Sequence, residues 1–353
     1  MKIDYFHTVL LNCVNQLNGE RTVSAIYHLL KGKKSSQTIQ DGKLFNLTHL
    51  FGIIPKLSRK QIDAAWELLN QEELIDILPD NLCFITPKGK EVLLKKLEEK
   101  PIPSSLDGWQ YGDVSRVFWK RLSLLIQVVS NLTYGRKGYL PITKNQEDLQ
   151  WVKGFLRQSN VQREVLTEKL YKELETVLKL HSSKEATIVV QRLTSCKKIG
   201  LTFEQIAYKH DEDPFYVYLV FWNIIHSIIK LQQSRENSFE ILNTIIKDKA
   251  NQAALTTSTK VTRSFVLQGK NITEIATMRK LKESTIEDHI VELTLHDPHY
   301  YPSFFLQEND YSKIMKAIEE LQTHQLKKVK EYLGHKYSYF QIRLAFALNG
   351  RRK

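Results

Sequence analysis

The sequence predicts a mainly α-helical protein with several domains, in which β structure is confined to one short hairpin. Apolar residues recur three and four positions apart over most of the chain, as in the run from Ile62 to Leu69. Residues that break helices are scarce, since the 353 residues include 14 glycines and 9 prolines. Residues 74–85 differ from the rest, because they follow a pattern of strand, turn and strand.

Composition divides the chain into three predicted domains, residues 1–100, 101–250 and 251–353. Between Pro101 and Asp113, two prolines, two serines and two glycines are typical of a linker. The threonine-rich run Ala250–Ser258 marks the second boundary, and the polar run Gln232–Asn237 breaks the helical pattern shortly before it. Two or three domains is also the number expected for a chain of this length.

The charge balance is the first indication of function. Lys and Arg total 51 against 39 Asp and Glu, which gives a net charge of +12 and an isoelectric point near 9.3. A basic excess favours a polyanionic partner, because cations that bind phosphates release condensed counterions. A basic cytosolic protein without such a partner is the alternative.

The cysteines and the N-terminus indicate the compartment. Cys13, Cys83 and Cys196 are far apart and odd in number, which predicts neither a disulfide framework nor a zinc site. The run from Met1 to Asn18 lacks the charged start and unbroken apolar core of a signal peptide. No stretch approaches 18 uncharged apolar residues, so we expect no membrane span and a cytoplasmic protein.

The N-terminal segment has the element order of a winged helix. Ser58 and Gln61 are spaced as a capping box at the start of a helix. Leu74–Leu78 and Leu82–Ile85 are predicted strands, and Thr86–Gly89 opens a last helix after the hairpin. Helical runs are expected before the hairpin at about 3–18, 21–31, 44–51 and 58–70.

Four segments of this region together resemble the winged-helix domain that follows the motor of RecQ-family DNA helicases. They are Leu29–Ser36, Leu50–Ile53, Leu57–Lys60 and Thr86–Gly89. In that family the domain grips duplex DNA near a fork. The resemblance implies phosphate contacts, partly at a helix N-terminus, for Lys31, Lys33, Lys34, Ser35, Ser36, Arg59 and Lys60. A solvated basic loop is the alternative.

The tip of the predicted wing departs from that family. Some members use an aromatic residue there to split base pairs, whereas the tip of this chain is Pro79-Asp80-Asn81. We therefore do not expect this wing to separate strands.

The middle segment carries few functional signals. Leu201–Ala207 resembles the second helix of a helix-turn-helix, and the acidic run Asp211–Asp213 caps a very apolar helix from Pro214 to Ile229. A helix that is apolar on most sides is buried or docks a partner, and core is the favoured interpretation. Its acidic start makes it a poor reader of DNA.

The C-terminal segment predicts a helix-turn-helix domain. Ala276 supplies the small residue needed where two helices cross, and Ile286 supplies a branched apolar residue ten positions later. Ser284 and Glu287 are spaced as a capping box that would open the second helix. Lys280 stands where the turn usually has a glycine.

Two runs here, Leu281–Ile290 and Tyr337–Ala345, resemble the helix-turn-helix domain at the C-terminus of some bacterial RecQ-family helicases. The order of all segments further resembles that of the YpbB-type bacterial proteins, stand-alone companions of such helicases. This resemblance implies a RecQ-family helicase as partner and a role in DNA metabolism and repair.

Charge on the second predicted helix argues against base reading. Its outward positions would include three carboxylates, which would repel DNA phosphates, although a carboxylate can accept from cytosine. We therefore expect this helix to dock a protein. The predicted partner-binding residues are Lys282, Glu283, Glu287 and Asp288.

Basic and aromatic residues are interleaved in the last two predicted helices. Such a pattern predicts contacts with the backbone and stacking on bases, and a solvated face with a basic tail, Arg351–Lys353, is the alternative. The predicted nucleic-acid-binding residues are Lys327, Lys328, Lys336, Tyr339 and Arg343.

No motif predicts catalysis. The run Gly135–Gly138 lacks the spacing and hydroxyl of a phosphate-binding loop, and proline within His296–His299 favours a turn over a metal pair. We therefore predict no enzyme activity, no cofactor and no metal. The predicted function is a DNA-binding adaptor for a RecQ-family helicase; a sequence-specific transcription regulator and a protein-binding scaffold without DNA contact are the alternatives.

Overall fold

The computed structural model of the chain describes residues 3–159, 162–234, 239–249, 255–297 and 299–352. These residues are mainly helical and include one two-stranded antiparallel sheet, which confirms the predicted fold class. Parts of the two predicted breaks near 232–237 and 250–258, namely residues 235–237 and 250–254, lie outside the described residues.

The described chain forms two compact units. The first unit contains the residues up to Val9 and those from Lys96 to Lys249. The second unit combines both ends of the chain, residues 10–95 and the residues from Leu255 onward. The terminal segments that the sequence separates thus pack together, whereas the division into three domains stays a prediction.

Residues up to Glu99 form the helices and the hairpin expected of a winged helix. Strand pairing places Asp76 opposite Phe84, and Thr22 forms an isolated bridge with Leu82 on the outer side of the hairpin. The predicted capping box of Ser58 and Gln61 is confirmed. The elements are α1 (Tyr5–Leu17), α2 (Val23–Lys31), α3 (Ser36–Leu44), a 3₁₀ turn (Thr48–Leu50), α4 (Arg59–Gln71), β1 (Ile75–Ile77), β2 (Cys83–Ile85) and α5 (Pro87–Glu99).

The predicted helix at about 44–51 was wrong. The structure has helix α3 earlier in the chain, and only the 3₁₀ turn lies within 44–51. Helix α3 carries little apolar periodicity, so its pattern resembles a loop. It begins where the Ser35 hydroxyl accepts from the Thr38 backbone, and it is stabilised by burial of Ile39 and its neighbours.

The first unit is built around an apolar helix. Helix α11 (Pro214–Ser234) packs on α6 (Gly108–Thr133), α9 (Ser183–Arg192) and α10 (Phe203–His210). Phe221 of α11 lies against Trp119 and Phe203. Asp213 caps its start, as predicted, by accepting from the backbone of Phe215 and Tyr216. Its helices are α6 (Gly108–Thr133), α7 (Gln146–Gln158), α8 (Arg163–Leu178), α9 (Ser183–Arg192), α10 (Phe203–His210), α11 (Pro214–Ser234) and α12 (Glu240–Ile246).

Helix α11 also meets a membrane criterion. Among the described residues it is the one helix that is long and apolar enough to cross a membrane, judged by length and composition alone. The sequence pattern did not anticipate this match. Most of the apolar stretch is buried inside the first unit, which is what the core of a folded domain requires.

The C-terminal part of the second unit centres on α15 (Glu283–His296). Ile286, Ile290 and Leu293 on this helix are fully buried, and each such side chain stabilises the fold by about 1.5–3 kcal/mol. Helix α15 packs on α13, α14 and α18 and on α3 from the other end of the chain. The helices are α13 (Thr257–Leu267), α14 (Ile272–Arg279), α15 (Glu283–His296), α16 (Glu308–Leu321), α17 (Leu326–Tyr332) and α18 (Tyr339–Arg352).

The turn between α14 and α15 is tight. Lys280 adopts a left-handed conformation (φ 52°, ψ 44°), the geometry that glycine usually supplies there. The predicted capping box of Ser284 and Glu287 was wrong, because α15 begins at Glu283 and Ser284 lies inside its first turn. The backbone N–H of Leu281 donates to the Ala276 carbonyl. This bond closes the C-terminal end of α14, and α15 begins at Glu283 directly after the turn.

Candidate nucleic-acid interface

A group of cations surrounds Tyr27 and His28 near the end of α2. The Lys31 ammonium donates to the Tyr27 hydroxyl at 2.9 Å, and the Arg59 guanidinium lies 4.5 Å from the centre of the Tyr27 ring. Lys33 is exposed beside them. We call Lys31, Lys33 and Arg59 with Tyr27 and His28 the Tyr27 cluster.

The electrostatics of the Tyr27 cluster favour an anion. Partial burial and then the charges of Lys33, Arg59 and Lys31 lower the pKa of His28. Within the described residues, no carboxylate lies within ion-pair distance of these three cations. A phosphate bound here would relieve a mutual repulsion that the described part of the chain leaves uncompensated.

Two helix ends bring these side chains together. Gly32 closes α2 with a left-handed backbone (φ 79°) and donates to the carbonyl of His28. A Cβ atom at Gly32 would come within 2.7 Å of the Gly52 Cα, so this close approach requires glycine. Arg59 is the first residue of α4, and its guanidinium also donates to the Ser24 hydroxyl at 3.3 Å.

The next three residues predicted to contact phosphates, Lys34, Ser35 and Ser36, interact with other residues of the second unit. Burial raises the pKa of Glu292 on α15, and the charge of exposed Lys34 acts in the opposite direction. Ser35 caps α3, and Ser36 accepts from Arg343. The two hydroxyls predicted to face phosphates are therefore engaged within the second unit.

Lys60 and a second basic group are exposed. Lys60 lies in the first turn of α4. On the last helices, the Lys330 ammonium lies 4.2 Å from the centre of the Tyr339 ring, which is 46% exposed. The exposed residues of this group, which we call the Tyr339 group, are Lys327, Lys328, Lys336 and Tyr339, with half-buried Lys330 beneath the ring.

The Tyr339 group is partly neutralised. Lys327 pairs with Glu331 at 3.9 Å, a separation typical of a weak surface ion pair. Ser338 and Gln341 cap α18 reciprocally, which presents Tyr339 at the start of that helix. Of the predicted basic tail, Lys353 and the side chains of Arg351 and Arg352 lie outside the described residues.

Arg343 lies at a junction of three helices. Its side chain is 16% exposed and pairs with Asp288 of α15 at 2.7 Å. It also donates to Gln40 and Ser36 of α3. The structure thus joins two predicted nucleic-acid-binding residues, Ser36 and Arg343, to the predicted partner-binding residue Asp288.

This junction brings the start of α3 close to the first turns of α18. Tyr339 lies one helical turn before Arg343, about 6 Å along α18. Lys34 lies two residues before Ser36, which accepts from Arg343. The hydrogen bond between Arg343 and Ser36 therefore joins the N-terminal end of α3 to the first turns of α18.

The predicted partner-binding residues fall into two sets. Lys282 and Glu283 are exposed, and Glu283 accepts from the Thr273 hydroxyl at 2.6 Å. Glu287 is half-buried, and burial together with Asp288 and Glu283 raises its pKa, against the lowering charge of Arg343. The first turn of α15 is open, Glu287 and Asp288 are half-buried, and the helix from His289 to Leu295 is buried against neighbouring helices.

Sequence reasoning missed Tyr27 and the contacts that tie both ends of the chain. Glu20 accepts from the Thr323 hydroxyl at 2.8 Å, and the Arg21 guanidinium donates to the His324 carbonyl at 3.4 Å. The spacing of Tyr27 and Lys31, four residues apart on a helix, is a local signal that could have identified the first of these. The pairs with distant partners have no local signal.

Comparison with known proteins identifies relatives. A family model described as a helix-turn-helix domain matches residues 258–346, which extend from α13 into α18. The chain is 39% identical over 346 residues to Protein YpbB of Bacillus subtilis (strain 168), covering 98% of this chain and 97% of that protein. No solved structure matches the chain significantly. A helix-turn-helix domain supports DNA binding.

Proposed function

This chain belongs to the YpbB family, and we propose that it is a non-catalytic DNA-binding protein that assists a RecQ-family helicase. The observation that carries DNA binding is the Tyr27 cluster. Three cations there lie close enough to lower the pKa of His28, and no carboxylate among the described residues neutralises them. The helix-turn-helix match supports the same conclusion independently.

DNA is held mainly through its backbone. Lys31, Lys33 and Arg59 contact phosphates, and Lys60 lies in the same first turn of α4 as Arg59. The Tyr339 group adds further cations and one aromatic ring on which a base can stack. Arg343 holds α18 against α3 and positions this group.

Sequence preference is weak. In many helix-turn-helix proteins the second helix lies in the major groove, and its side chains contact base edges. Here α15 is buried over most of its length, and its open first turn carries Lys282 and Glu283. This burial counts against a sequence-specific transcription regulator.

The helicase supplies ATP hydrolysis and strand separation. The resemblance of both terminal segments to accessory domains of RecQ-family helicases supports this partnership. The open first turn of α15 is the surface that we assign to the partner, with Lys282 and Glu283 in contact and Glu287 and Asp288 at its edge. A role in DNA repair and a cytoplasmic, nucleoid-associated location follow from this proposal.

Salt dependence tests the DNA-binding part. Binding of a fluorescein-labelled 30-base-pair duplex and of a forked DNA is measured by anisotropy at 50 and 200 mM salt. Three phosphate contacts correspond to a slope of about −2.7 in log affinity against log salt, which is roughly a 40-fold loss over this range. Affinity that is equal at both salt concentrations, or release of phosphate from ATP by the purified chain, contradicts the proposal.

A charge swap tests the helicase part. Full-length chain is used to capture a purified RecQ-family helicase after nuclease treatment, as wild type and as K282E/E283K. We expect capture by the wild type and loss in the variant. The variant K316E/E319K, which exchanges charges at exposed positions of α16, keeps the net charge and should leave capture unchanged. Equal capture of the helicase by all three chains would show that the first turn of α15 does not contact it.

A further inference from the structure

The first unit contains an apolar groove that DNA binding does not use. Its volume is about 880 Å³, and it lies between α6, α8 and α9. Val129, Leu170 and Leu178 form its buried floor, whereas Tyr134, Tyr171 and Val190 on its wall are more than half exposed. Large apolar side chains left exposed around a groove are typical of a surface that binds a partner.

One end of this groove is basic. The Lys197 ammonium lies 4.4 Å from the centre of the Tyr134 ring, and the Arg136 guanidinium donates to the Cys196 carbonyl at 3.2 Å. The Cys196 backbone in turn donates to Ser130, which lines the groove. Across the described ranges, neither Arg136 nor Lys197 has a carboxylate within ion-pair distance.

The opposite region of the lining is neutral. Glu175 accepts from the Tyr171 hydroxyl at 3.1 Å and pairs with Lys179 at 3.3 Å, so its charge is already balanced. The groove therefore offers an apolar trough with uncompensated positive charge at the Tyr134 end. An occupant complementary to it is apolar on one side and negative at one end.

We infer that this groove binds an amphipathic helix of a partner protein, with an apolar stripe and acidic residues at one end. The stripe lies against Val129, Leu170 and Val190, and the carboxylates meet Arg136 and Lys197. A helix fits because its outer face can stay in water, as the exposed rim requires, whereas small-molecule sites bury most of the ligand surface. This inference goes beyond DNA binding and does not depend on it.

The test selects the occupant without assuming its sequence. A displayed library of helix-forming peptides is selected on the full chain. We expect enriched sequences with apolar residues at i, i+3 or i+4, and i+7, and with Asp or Glu at one end. A peptide from the selection is then synthesised and labelled, and its affinity for the chain is measured by anisotropy.

Four variants decide the outcome. R136E/K197E and A186W, of which the second fills the groove, should each lower the affinity for the peptide at least tenfold. K153E/K209E, a charge reversal at exposed positions of α7 and α10, and K31A/K33A/R59A should leave its affinity within twofold. If A186W does not fold, R136E/K197E decides alone, because both of its positions are at the surface.

Any of three results would overturn the inference. The first is that no peptide is enriched, and the second is that enriched peptides bind R136E/K197E as tightly as the wild type. The third is that laurate, an anionic single-chain amphiphile, occupies the groove and no selected peptide competes with it.

Discussion

Arg343 of α18 and Asp288 of α15 form an ion pair in which Nη1 and Oδ1 are 2.7 Å apart, and the same guanidinium donates to Gln40 of α3 at 3.2 Å. The carbonyl of Arg343 also accepts from the Gln40 amide. One residue near the C-terminus thus holds a helix of the N-terminal segment against the helix-turn-helix. The second unit depends on both ends of the chain.

Replacing Arg343 by Ala should destabilise the second unit. The change leaves Asp288, Gln40 and Ser36 without their partner, and we expect a loss of about 1–3 kcal/mol in the free energy of unfolding by urea. R343K keeps the charge but not the planar set of guanidinium donors, so its free energy of unfolding should lie between those of the wild type and R343A.

The matched control is R157A, which removes an exposed arginine of α7 and should change stability by less than about 0.5 kcal/mol. If R343A keeps full stability but loses DNA affinity, Arg343 contacts DNA directly and the positioning role is wrong.

Removing the cations of the Tyr27 cluster should weaken DNA binding. K31A/K33A/R59A takes away up to three phosphate contacts, so we expect the slope of log affinity against log salt to become shallower by up to about 2.7. Anisotropy titrations at several salt concentrations measure this slope. Circular dichroism checks that the fold is retained, since Arg59 also packs on Tyr27.

The comparison variant is K153A/K169A/K172A, which removes the same charge from exposed positions of the first unit. It should keep the wild-type slope. Equal losses in the two triple variants would mean that net charge, rather than the cluster, determines the affinity.

Acid should destabilise the protein through two buried histidines. Burial, then the charge of Arg116, lowers the pKa of His226 to about 3, and burial, then Arg279, lowers the pKa of His289 to about 4. The unfolded chain takes up these protons near pH 6.5, whereas the folded chain does not. Stability is therefore full above pH 6.5 and falls as the pH drops towards 4.

For His226 the expected slope is about 1.4 kcal/mol per pH unit, because one proton is bound only by the unfolded chain. Its Nδ1 accepts from the Asp107 backbone at 3.1 Å, a bond that protonation would break. Urea midpoints at pH 7.5, 6 and 5 measure the slope. In H226Q the slope should be smaller, and an unchanged slope would exclude this histidine as a cause.

Glycine at position 280 should stabilise the helix-turn-helix. Lys280 has φ 52°, a conformation that costs a residue with a Cβ atom free energy and costs glycine little. We expect K280G to gain about 0.5–1 kcal/mol, seen as a higher urea midpoint. K282G, two residues on in extended backbone (φ −71°, ψ 147°), should show no gain. If both changes destabilise equally, the left-handed turn carries no strain.

Local sequence was sufficient wherever neighbours in the chain decide the structure. The Ser58–Gln61 box, the cap at Asp213 and the hairpin depend on residues a few positions apart, and the structure has them as predicted. Helix α3 was missed because its stability comes from burial against α15 and α18 and not from its own periodicity.

The sequence by itself determined the helical fold class, the basic balance and the position of the turn at Lys280, since capping, periodicity and charge are properties of nearby residues. Only the tertiary structure decided which charged side chains are exposed and which are buried in ion pairs. It gathered Arg59 with Lys31, and it buried Arg343 in an ion pair with Asp288. Packing brings together residues that are distant in the chain, and the resulting burial determines whether a cation faces a phosphate or a carboxylate.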